Sequence, residues 1–191
     1  LQSHGPQGIR RAQPQRECGT DELTLMMQKI LIGLIAMIGS FLGLILLQPS
    51  DYQITRATTI SAPPQDVFAQ IDDFHRWQAW SPWAERDPKA KVWFDGPASG
   101  KGAVFAWSGN NEVGEGRMTL VESQPGALVK IRTDFVKPFV GSSYSDFTLK
   151  GEGEGTSLTW SMSGQNDFIG KAICLFVSMD KVLGAEMAKG L

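Results

Sequence analysis

The chain predicts an α+β domain, a curved antiparallel sheet gripping a C-terminal helix, carried behind a single transmembrane helix. Three observations predict it. Residues 30–47, ILIGLIAMIGSFLGLILL, hold no charge. From residue 52 onward, short alternating segments are separated by Gly-rich turns. From residue 166 to the end, the apolar spacing becomes that of a helix.

The apolar run comes first. As a helix it would extend about 27 Å, close to the thickness of a bilayer core. QPSDYQ follows it, without the small-residue pattern of a cleavage site, so the run reads as an uncleaved anchor. Arg10, Arg11, Arg16 and Lys29 precede it and Arg56 follows. The positive-inside rule then places the N-terminus in the cytoplasm and the soluble part outside. Met26 and Met27 stand just before Lys29, which suggests that translation begins there. The expected division is therefore a disordered tail over 1–25, an anchor over 26–48 and a soluble domain over 51–191. The helical spacing still runs at Leu191, so the expectation includes a C-terminus that continues.

The soluble elements follow in order. YQITRATTI (52–60) is rich in β-branched residues and reads as a strand. SAPPQDVFAQI reads as a short helix with Ser61 as its cap and Val67, Phe68 and Ile71 on one face. DFHRWQAW reads as a second short helix, stopped at Ser81-Pro82 because the residue before proline avoids the α region. Strands are then expected around KVWF, GAVFAWS, EVGEGRMTLVES, ALVKIRTDF, SYSDFTLK and TSLTWSMS. Their short connections require antiparallel hairpins. NDFIGKAICLFVSMDKVLGAEMAKGL closes the chain as one long helix, with Asn166 as cap and Ile169, Ile173, Phe176, Leu183 and Met187 near one stripe. That stripe needs an apolar partner, which the concave face of a curved sheet supplies, and incomplete interdigitation would leave a cavity between them.

Composition excludes several functions. The formal charge is −2, with no basic face for nucleic acid. The two cysteines, Cys18 and Cys174, fall on opposite sides of the anchor, which argues against an internal disulfide. No cluster of His, Cys and Asp has ligand spacing, so neither a metal site nor a cofactor is expected. GPASGKG (96–102) is one residue short of a phosphate loop and has Gly102 where Ser or Thr should stand, so it reads as a hairpin turn. His75 reads as a surface or capping histidine. Asn110 reads as a turn residue.

Two carboxylates remain as catalytic candidates, Glu115 and Asp134. Glu115 and Arg117 lie two apart on one strand and share a face, opposite to Met118 and Leu120. If Met118 and Leu120 line the interior, Glu115 and Arg117 form an exposed pair. If Glu115 faces the interior, it becomes a buried acid/base with a raised pKa. Asp134 poses the same alternative. Trp77, Trp80 and Trp83 crowd into WQAWSPW. The first two share a helical face and read as core plugs; Trp83, beyond the proline, is the one placed to touch a ligand.

TISAPPQDVFAQIDDFHRWQAWSPW, GPASGKGAVFAWSGNNEVGEGRMTL, TDFVKPF, GTSLTWSMSG and KAICLFVSMDKVLG together resemble the SRPBCC family. They are most similar to its polyketide cyclase/dehydratase-like branch of bacterial proteins with an N-terminal membrane segment. The resemblance covers roughly residues 52–191. It implies the helix-grip fold shared with START lipid-transfer domains and the birch-pollen allergen family, with an apolar ligand held between sheet and long helix. On that reading the expected lining is Trp83, Phe105, Trp107, Met118, Leu120, Ile131, Trp160, Phe176 and Met179. The expected function is membrane-tethered binding of a hydrophobic or lipid-like molecule. The alternatives are a cyclase or dehydratase using Glu115 or Asp134, and a structural partner-binding domain whose interior is filled by side chains.

Overall fold

The computed structural model describes residues 20–191, with side chains from Glu22 onward. The chain divides into two compact units at Leu44/Ile45. Helix α1 (Thr20–Leu46) begins six residues before Met26, so residues 20–25, read from sequence as tail, are helical. The rest of that tail, residues 1–19 with Cys18, lies outside the described residues. Leu31, Ile35, Met37 and Ile38 are all exposed, so no single apolar face is turned inward. Glu22–Leu46 is long and apolar enough to cross a membrane. Ser40, the polar interruption, returns its hydroxyl to the Ala36 carbonyl at 2.8 Å.

In the second unit the strands are β1 (Asp51–Ile60), β2 (Lys91–Asp95), β3 (Val104–Ser108), β4 (Glu115–Gln124), β5 (Leu128–Lys137), β6 (Gly141–Glu152) and β7 (Gly155–Gln165). They form one antiparallel sheet in the order β1-β7-β6-β5-β4-β3-β2. β2 to β7 therefore run as a meander, and β1 closes beside the last strand, as short hairpin connections require. GPASGKG is the β2–β3 turn, with Gly102 at φ +94, a conformation that favours glycine. Asn110 holds the next turn: its Oδ1 accepts from the backbone of Glu112 at 2.8 Å and Val113 at 3.2 Å.

Between β1 and β2 lie α2 (Pro64–Ile71), a 3-10 helix (Phe74–Ala79) and α3 (Pro82–Arg86). Pro63, not Ser61, occupies the N-cap of α2, which has no side-chain cap. The stop before Ser81-Pro82 is observed, but a further short helix starts there, because proline suits a first helical position.

The C-terminal helix is not continuous. It is divided into α4 (Phe168–Cys174) and α5 (Met179–Gly190). Ser178 adopts an extended conformation and caps α5 by accepting from Lys181 N at 3.4 Å. Asp167 rather than Asn166 caps α4, accepting from Gly170 N at 2.7 Å. The break divides the expected stripe. Met187 is buried, whereas Ile169, Ile173 and Phe176 are exposed. α5 packs on β1 and α3.

Candidate ligand-binding site

Strand register defines the concave face. One cross-strand row runs through all seven strands: Phe94, Phe105, Met118, Thr133, Ser143, Gly164 and Tyr52. The next row carries Leu120, Ile131, Ser145, Met162 and Ile54. Trp107 opposes Gly116 one row further along. Phe105, Leu120, Ile131 and Trp160 are buried, and Trp107 and Met118 are half-buried against the same core. The six strand residues expected to line the interior thus share one face.

The helical candidates are placed differently. Trp83 is half-buried and meets Trp160 edge-on, with ring centroids 5.9 Å apart. Met179 opens α5 and packs against the core. Phe176 lies in the segment between α4 and α5 and is 77% exposed. Trp77 and Trp80 are core plugs. Their centroids are 4.7 Å apart, and Trp80 stands edge-on to both Phe147 and Trp160. The Trp77 indole donates to Ile71 O at 2.9 Å and that of Trp80 to Gln70 O at 3.1 Å, which satisfies both N–H groups.

The face grows polar toward the strand ends beside α4. Ser143, Ser145 and Thr133 are buried there. Burial pushes the Tyr52 phenol above its ordinary pKa, the nearby Cys174 adds to the rise, and the Ser143 hydroxyl offsets part of it. Ser143 Oγ is close enough to act on the phenol, yet it makes no hydrogen bond of ordinary geometry. Trp160 Nε1 is likewise buried without a partner. Buried polar groups are normally paired, so two orphans on one face stand out. The hydroxyl residues were legible by parity, since Ser143 and Ser145 share the inward side with Phe147 and Leu149; reading for apolar lining passed over them.

Glu115 and Asp134 lie in ion pairs away from this face. Lys137 Nζ is 2.8 Å from Glu115 Oε2. Arg117, Asp134 and Ser142 share a cross-strand row on the convex side. The Ser142 hydroxyl donates to Asp134 at 2.6 Å and Arg132 reaches it at 2.8 Å. These contacts hold the Asp134 carboxyl below its usual range, the Ser142 bond contributing most. A carboxylate stabilised in its charged form is poorly suited to general acid/base work. The expected Glu115–Arg117 pair gives way to Glu115–Lys137.

A cavity of about 250 Å³ lies elsewhere, between the 3-10 helix and the β2–β3 turn, lined by Phe74, His75, Phe94, Pro97 and Val104 among others. His75 stacks on Phe94 at 4.0 Å, and its Nδ1 is 2.9 Å from Asp73 Oδ1, the oxygen that also accepts His75 N. The histidine thus belongs to a helix cap. Among the described residues no His, Cys, Asp and Glu group could hold a metal ion.

A curved seven-stranded antiparallel sheet with helices laid in its concavity is a helix-grip domain. The chain belongs to the SRPBCC superfamily: residues 52–191 match the family of polyketide cyclase/dehydrase and lipid transport proteins. Among solved structures, Mll3558 from Rhizobium loti is 22% identical with a TM-score of 0.50, covering 73% of this chain and 96% of its own. CV1439 from Chromobacterium violaceum is 16% identical with a TM-score of 0.51, covering 74% and 92%. The di-domain aromatase/cyclase StfQ of the steffimycin biosynthetic pathway is 11% identical with a TM-score of 0.53, covering 74% and 48%. These likenesses carry the fold. A comparison with curated protein sequences yields no match.

Proposed function

We propose that the protein binds a hydrophobic or lipid-like small molecule between the concave face of the sheet and the C-terminal helices, tethered to the cytoplasmic membrane through residues 30–47, with its soluble domain on the outer side. The observation that carries the reading is the composition of the concave face. It is aromatic and aliphatic across the sheet and turns to buried hydroxyls, Thr133, Ser143 and Ser145, toward the end beside α4, with Trp160 Nε1 unpartnered and Ser143 Oγ without a hydrogen bond of ordinary geometry. Such a surface suits a guest with an apolar body and one polar group that accepts hydrogen bonds. The family description, which includes lipid transport, agrees with it. The binding reading is preferred over the cyclase reading because Glu115 and Asp134 are engaged in ion pairs.

Met118 tests the proposal, since it lies mid-row and only half-buried. Native mass spectrometry of the full chain, purified from membranes, should show a co-purifying apolar mass. Met118→Glu should remove it while leaving the circular dichroism unchanged. A wild-type chain that carries no such mass, or a variant that carries it undiminished, would contradict the reading.

A further inference from the structure

The chain enters β1 at Asp51, at the end of the sheet where β5 finishes, β6 begins and β7 finishes. Exposed apolar residues gather at that end. Phe139 and Val140 occupy the β5–β6 turn, and Val140 is 82% exposed. Phe168, Ile169 and Ile173 stand out from α4, and Phe176 from the segment that follows it. Two separate connections therefore present large apolar side chains at one end of the sheet. Single exposed apolar residues are ordinary, but a collection of this kind marks a surface with an apolar partner. At the opposite end, the β6–β7 turn is Gly153-Glu154, preceded by Glu152, so that end is acidic and small.

The position of the patch names the partner. Residues 47–50 separate α1 from β1, and a linker of that length reaches about 14 Å at most. Asn166 N donates to Ser50 O at 2.6 Å, so the start of α4 is fastened directly to that linker. We propose that this apolar end docks into the interface of the same bilayer that α1 spans, with the β5–β6 turn and α4 as the inserted elements. The proposal rests on the anchor reading above. Lys171 on α4 and Lys137 beside the turn border the patch, and their aliphatic stems suit the headgroup level. Phenylalanine and branched side chains at this depth gain by leaving water, with no requirement for anionic lipid. The hydroxyl-lined end of the concave face, Tyr52, Thr133 and Ser143, lies toward the same end of the sheet. A guest would then pass from the membrane to the grip without crossing bulk water.

The test uses the full chain, with Cys18→Ser and Cys174→Ser, in vesicles of zwitterionic phosphatidylcholine. An environment-sensitive fluorophore is placed in turn at Val140→Cys, Phe176→Cys and Glu154→Cys, and quenching by doxyl-labelled acyl chains is measured. Positions 140 and 176 should show blue-shifted emission and quenching about threefold or more above position 154. Quenching at 140 and 176 equal to that at 154 would overturn the docking while leaving the anchor intact, provided the protein floats with the vesicles. Failure to float would overturn both. A blue shift at 140 that disappears as the lipid-to-protein ratio is raised would overturn it in favour of a second copy of the chain.

Discussion

Trp107 lies across Gly116 on the neighbouring strand, and its indole is pinned there by a 2.9 Å bond from Nε1 to Val113 O. A Cβ on Gly116 would stand 2.5 Å from the ring and 2.8 Å from the Asp134 carbonyl. Neither neighbour is free to yield, one being held by its hydrogen bond and the other being backbone. Gly116→Val is therefore expected to destabilise the domain by about 1–3 kcal/mol, through overpacking. The midpoint of urea unfolding in detergent should fall with little change in slope, and tryptophan emission should shift as Trp107 is displaced. Tyr52 lies over Gly164 in the same manner, with its hydroxyl 2.7 Å from where a Cβ would stand. From sequence alone these glycines look like ordinary strand interruptions, because the aromatic that uses each one comes from a different strand.

At the level of elements, α5 is fastened by two carboxylates: Asp180 pairs with Arg56 of β1 at 3.0 Å, and Glu186 is the buried one. Glu186 is buried, with Arg86 of α3 at 2.8 Å and Lys189 of its own helix at 2.8 Å. Lys189 and then Arg86 hold its pKa below the ordinary value. A depressed carboxylate stabilises the fold above its unfolded pKa of about 4.3 and loses that contribution as pH falls through the lower folded value. Glu186→Gln should lower stability at neutral pH by about 1.5–3 kcal/mol, the range for hydrogen bonds to charged groups. It should also flatten the acid limb of the stability–pH curve below about pH 4.3. A mutant curve parallel to wild type throughout would mean that this pair does not fasten α5. The break between α4 and α5 belongs to the same scale. Helical periodicity continues through residues 175–178, and the helix is interrupted where Ser178 turns extended and caps α5, which a periodicity does not show.

For the whole molecule, the proposed anchor and docking end would set which compartment the grip faces. The orientation proposed above, drawn from the basic residues before the apolar run, puts the domain outside. External protease added to intact spheroplasts should then degrade the soluble part and leave the membrane-spanning fragment. Full protection under those conditions would reverse the orientation, and with it the leaflet that the β5–β6 turn meets.

The apolar run, the order of the strands and the inward parity of Phe105, Trp107, Met118, Leu120, Ile131 and Trp160 were determined by the sequence itself. They depend on local periodicity, and each strand carries its own alternation. Tertiary structure alone decided the partners: Glu115 with Lys137, Asp134 with Ser142 and Arg132, Trp80 wedged against Trp160, and Ser143 left without a hydrogen bond of ordinary geometry. It also decided that the exposed residues of α4 and of the β5–β6 turn emerge at one end of the sheet. The physical reason is the same in each case. Pairings between residues distant in the chain are set by register and curvature, which no short window of sequence contains.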